Sequence, residues 1–138
     1  MTNQEEHERG LMLSFIPPER RNRYLELIAR PKRRKDIVES LAHFKHLDVR
    51  YLIPIPGSQS RASEILRLLR SKGAPETCYA LSEASELDRR EIPLSEGLAF
   101  IVGRGIGTFL SCIPGKLAYF EDEDQRWILE RKQPPQQR

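Results

Sequence analysis

At 138 residues with a formal net charge of +3, the chain has the length of one domain and needs no metal or disulfide staple to bury an adequate core. Charged residues at 31% and hydrophobic residues at 38% argue against wholesale disorder, and they exclude fibrous or collagenous architecture. The uncharged run Tyr51 to Ser60 is interrupted by Pro54, Pro56 and Gly57 and is too short to span a bilayer as a helix.

In chain order, residues 1–10 carry Glu5, Glu6 and Glu8 against Arg9 and read as a mobile tail without a secretory core. The fold proper is expected over 11–131, beginning with the apolar docking segment Leu11, Met12, Leu13, Phe15 and Ile16. Pro17 and Pro18 followed by Glu19 suit the first turn of a helix that turns Tyr24, Leu25, Leu27 and Ile28 inward. Pro31 ends that helix and opens another with Ile37, Leu41 and Phe44 at helical spacing, so the two make a helical hairpin.

Val49 to Ile55 favours extended chain, but Pro54 and Pro56 cannot donate to a ladder and confine it to an edge or a linker. Ser58 or Ser60 can cap the next helix, whose stripe is Ile65, Leu66, Leu68 and Leu69 and whose stop is Lys72-Gly73. Cys78 to Leu81 reads as a buried strand, Ser82 to Arg90 as a loop, and Glu91 to Leu94 as extended again. Ser95 is a candidate cap for a short helix through Val102, stopped by Gly103, Gly105 and Gly107. Thr108 to Ile113, Lys116 to Glu121 and Arg126 to Arg131 then form a three-strand meander, turned at Pro114-Gly115 and at Asp122 to Gln125. Residues 132–138, rich in Gln and Pro, read as a disordered tail. The fold class is therefore α+β, with N-terminal helices packed on an antiparallel sheet.

Charge is unevenly distributed along the chain. Residues 11–72 hold 14 Lys and Arg against 6 Asp and Glu, whereas residues 73–130 hold 5 against 11. The densest basic stretch is Arg20, Arg21, Arg23, Arg30, Lys32, Arg33, Arg34 and Lys35, brought to one junction by the proline-bounded helices. Lys32 to Lys35 fall in a first helical turn, where the dipole disfavours cations, so something other than helix stability is expected to account for them. The principal reading is a non-enzymatic binding module that uses this surface on a protein partner with an acidic face, in an adaptor or regulatory role. The same polarity permits a homodimer. RNA or DNA binding through the same helices is the first alternative, although neither a helix-turn-helix pattern nor aromatic interleaving accompanies the basic run.

Gly103, Arg104, Gly105 and Gly107 can aim backbone N–H groups at an anion, although the run follows a helix and opens a strand, unlike a nucleotide loop. With the acidic loop Glu83, Glu86, Asp88 and Glu91, this turn supports a second alternative, a small hydrolase or transferase. That alternative requires the loop carboxylates to line a pocket with Arg104. No catalytic residue is assigned, and neither a metal nor a cofactor is expected. His43, His46 and Asp48 have ligand spacing in an unfavourable basic setting, and Glu121 to Asp124 lack the glycine and distal glutamate of a calcium loop. Cys78 and Cys112 form no metal or redox motif and are expected as reduced thiols in the cytoplasm, with a bridge between them left open.

Overall fold

The structure, a computed structural model, describes residues 1–56, 60–133 and 135. Its first element contradicts the expected tail over 1–10, because α1 spans Asn3–Phe15. Thr2 caps this helix by accepting from the Glu5 N–H, and Glu5 accepts in turn from the Thr2 N–H. With the N-terminus so closed, His7, Glu8, Leu11, Met12 and Phe15 all face the interior.

Helices α2 (Pro18–Ile28) and α3 (Pro31–Ser40) each place proline in the first turn, where its missing N–H is no loss. They form the expected hairpin, and a short 3₁₀ turn over Leu41–His43 carries Leu41 and Phe44 into the core. The branched stretch after Asp48 is extended only over β1 (Leu52–Ile53), an edge strand, since Pro54 and Pro56 end its pairing. Helix α4 (Ala62–Ser71) starts after Arg61, whose N–H donates to the Glu64 carboxylate at 3.4 Å. Ser60 is therefore not its cap, and Ser58 lies outside the described residues. Gly73, at φ 99°, is the left-handed stop expected after Lys72.

Strand β2 (Thr77–Ser82), strand β3 (Glu91–Pro93) and helix α5 (Leu94–Ile101) follow in turn. Pro93, rather than Ser95, holds the cap position of α5. The meander is β4 (Thr108–Ile113), β5 (Leu117–Glu121) and β6 (Arg126–Glu130). All pairings are antiparallel, in the order β1-β6-β5-β4-β2-β3, so the fold is α+β.

Period-two alternation sends successive residues of this sheet to opposite faces, and helices cover both. Leu81, Phe109, Ala118, Phe120 and Leu129 pack beneath α1, α2 and α3. Cys78, Ala80, Leu110, Cys112, Tyr119 and Ile128 pack beneath α4 and α5. Tyr119 is fully buried and Trp127 packs half-buried on the first face, so these two side chains of the meander serve the core.

Candidate functional site

The basic helices hold one cation that does not belong to the surface. Arg34 is 5% exposed and points from α3 toward α1 and the loop after β2. Its Nε and Nη2 donate to the Glu8 carboxylate at 3.0 and 2.7 Å, and its Nη1 and Nη2 donate to Asp88 at 2.7 and 2.9 Å. Two bidentate contacts on one guanidinium fix both carboxylates in plane. Burial works to lower the Arg34 pKa, but the hydrogen bonds to Asp88 and Glu8 outweigh it and hold the cation firmly charged.

The Tyr79 hydroxyl also donates to Glu8, and the Ser82 N–H donates to Asp88 at 3.0 Å. Burial, reinforced by the Glu8 contact, pushes the Tyr79 phenol above its ordinary range. His7 stacks on Tyr79 with ring centroids 5.5 Å apart, and its Nδ1 shares a 2.7 Å hydrogen bond with Ser111 Oγ. Burial lowers the His7 pKa against the opposing pull of Glu91 and Glu6. The excess of cations in the first turn of α3 thus has a partial explanation: Arg34 is the counter-ion of buried Glu8 and half-buried Asp88.

The rest of the basic run is sorted differently. Arg33 and Lys35 lie beside Asp36 and Glu39 at 3.4 and 3.6 Å, in exposed ion pairs of small energetic weight. Arg20, Arg23, Arg30 and Lys32 are exposed, and none has an ion-pair partner among the described residues. Arg21 is half-buried, with its Nε shielded from solvent and unpartnered. The eight-residue basic site expected from the sequence loses Arg34 as an outward-facing contact.

Between α1 and the α2–α3 junction lies a groove of about 260 Å³, with Glu8 and Arg34 among its lining residues. Leu25, Ile28, Ala29 and Pro31 give it an apolar wall, while Arg9 and Arg89 add charge. Arg89 is the one non-glycine among the described residues with positive φ, 68°, and its carbonyl accepts from Gln4 Nε2 at 3.0 Å.

The glycine turn does gather an anion, but the anion is the chain's own. Gly103 and Gly105, at φ 82° and 69°, direct their N–H groups to the two oxygens of Glu121 at 3.2 and 3.0 Å. Tyr119 Oη donates to the same carboxylate at 2.6 Å, and Arg126 Nε stands 3.7 Å away. Gly107 N–H is likewise taken by Glu83 Oε2 at 2.9 Å, while Arg104 lies over the Phe100 ring. The expected external-anion cradle is therefore occupied from within, because the turn lies against the end of β5 rather than at a helix N-terminus.

Nor does the acidic loop converge on one site. Asp88 belongs to Arg34, Glu83 to Gly107, and exposed Glu91 accepts from Asn3 Nδ2 at 3.0 Å. Arg104 instead borders a cleft with Glu121 to Arg126, so the arrangement needed for a hydrolase is not assembled among the described pockets. His43 turns to Asp124 at 2.9 Å while His46 packs edge-on against Tyr24, which separates the histidine pair. Among the described residues no group of three or more His, Cys, Asp or Glu can hold a metal ion, and no helix is long and apolar enough to cross a membrane.

Glu8, Tyr79, His7 and the groove escaped the sequence reading. A usable signal was present in Thr2 and Glu5, which have capping-box spacing, followed by inward positions His7, Glu8, Leu11, Met12 and Phe15. No known protein family matches the chain, and comparisons with curated proteins and with solved structures give no match.

Proposed function

We propose that the chain is a non-enzymatic binding module that engages a protein partner with an acidic face through the exposed cations of α2 and α3. One observation carries this reading: the basic run divides into an inward cation with two acid partners, Arg34, and outward cations with none, Arg20, Arg23, Arg30 and Lys32. Unpaired surface cations add little to stability, and Lys32 in the first turn of α3 opposes the helix dipole. They do favour encounter with a negatively charged surface. The absence of a convergent acid–base pair in the acidic loop supports binding over catalysis. Cys78 and Cys112 are free buried thiols, and burial pushes Cys78 up to about 12, which suits inert packing residues in a reducing cytoplasm.

The test is titration of the full chain with poly-L-glutamate at low and at physiological salt. Replacing Arg20, Arg23, Arg30 and Lys32 together by Glu should weaken binding on the order of tenfold or more and flatten its salt dependence. The melting temperature should change little, since these side chains are exposed and form no ion pair among the described residues. Undetectable binding at low salt, or equal binding by the variant, overturns the reading. A single-stranded RNA run in parallel decides the nucleic-acid alternative: tighter binding with a steep salt slope shifts the assignment to RNA.

A further inference from the structure

The groove beside the exposed cations permits a more specific statement about the partner, which rests on the reading just given. We infer that the partner presents an acidic peptide segment carrying one bulky apolar residue, and that this residue seats in the groove between α1 and the α2–α3 junction.

At about 260 Å³, the groove is smaller than the roughly 300–1,000 Å³ of typical small-molecule pockets and suits a single large side chain. Leu25, Ile28, Ala29 and Pro31 provide the apolar contact. The acids in its lining are already engaged: Glu8 is bound by Arg34, and Glu5 accepts from Thr2 Oγ1 at 3.0 Å. Arg9 has no ion-pair partner among the described residues. Arg89 lies 3.9 Å from Asp88 Oδ2, an oxygen that Arg34 already holds at 2.7 Å.

Arg30 and Lys32, exposed and chain-adjacent to the lining residues Ala29 and Pro31, extend the positive charge beyond the groove. A left-handed backbone at Arg89 is conformationally costly for a residue with a Cβ, and Arg89 is also the residue this conformation places in the groove lining. Apolar wall and cationic surroundings together complement a peptide in which acids flank an apolar anchor.

Fluorescence anisotropy on the full chain at low salt, with two labelled acidic peptides, tests the inference. One peptide has tryptophan between two runs of three acidic residues, and the other has serine there. The tryptophan peptide should bind about tenfold more tightly. Ala29→Trp, at an exposed lining position, should fill the groove and remove most of that preference without weakening the serine peptide. Arg9→Glu should weaken both.

Backbone amide shifts of Leu25, Ile28 and Ala29 provide a readout without mutation and should move with the tryptophan peptide alone. Equal affinity of the two peptides overturns the groove assignment and leaves the proposed function standing. Failure of both peptides and of poly-L-glutamate to bind overturns the two together. Binding of single-stranded RNA more tightly than the tryptophan peptide, with these amides unmoved, also overturns it.

Discussion

The two faces of the sheet are closed by different physics. Beneath α4 and α5, Ile65, Leu69, Leu98 and Ile101 meet Ala80, Leu110 and Tyr119 in a layer dominated by hydrocarbon. Beneath α1, α2 and α3, a comparable apolar layer adjoins a polar cluster of His7, Glu8, Arg34, Tyr79, Asp88 and Ser111. Hydrophobic contact is non-directional and holds a helix down without fixing its rotation. Bidentate contacts from Arg34 to an acid on α1 and an acid after β2 fix how α3 sits. Within the basic run, Arg34 therefore serves the packing of α3, while Arg20, Arg23, Arg30 and Lys32 stay on the surface.

Breaking the polar side from within should have the largest effect. Arg34→Met strands Glu8 and Asp88 beside each other without a counter-ion, and should destabilise the fold by about 3–5 kcal/mol in urea unfolding. On the other face, Leu69→Ala leaves a cavity under α4 and should cost about 2–4 kcal/mol, while poly-L-glutamate affinity of the folded protein stays unchanged.

A smaller effect distinguishes the faces by pH. Burial holds His7 below its ordinary 6.5, so the unfolded chain takes up the proton first. Its contribution is complete above about pH 6.5 and is lost as the pH falls from there through the lower pKa of the folded state. His46, also lowered by burial, has the same sign, whereas His43 is raised by its hydrogen bond to Asp124 and has the opposite one. His7→Gln should flatten the loss of stability between pH 7 and pH 5 without abolishing it, as read by urea unfolding across that range.

How legible each region was follows from the range of its determinants. The meander was readable because turn residues at Pro114-Gly115 and Asp122 to Gln125 punctuate branched and aromatic runs, and that information is local. The α2–α3 hairpin was readable for the same reason, with a proline opening each helix. α1 was not, because its glutamates and histidine read as solvated while Glu8 is neutralised by a residue 26 positions away. Nothing local marks Arg34 as different from Arg33. The distinction arises only when α3 packs against α1 and the loop carrying Asp88. The glycine turn shows the converse, since its capacity to bind an anion was legible and its occupant, Glu121, was set by the course of the chain.

The division of labour within the basic run is tested most directly by comparing Arg34→Lys with Arg30→Glu, measuring both urea stability and poly-L-glutamate affinity under conditions where each variant is folded. Lys cannot reproduce the two bidentate contacts of Arg34, so Arg34→Lys should lose stability and keep its affinity. Arg30→Glu should keep its stability and lose affinity. If Arg34→Lys weakens binding as much as Arg30→Glu does, or if Arg30→Glu leaves affinity untouched, the assignment of Arg34 to the fold and its exposed neighbours to the partner is contradicted.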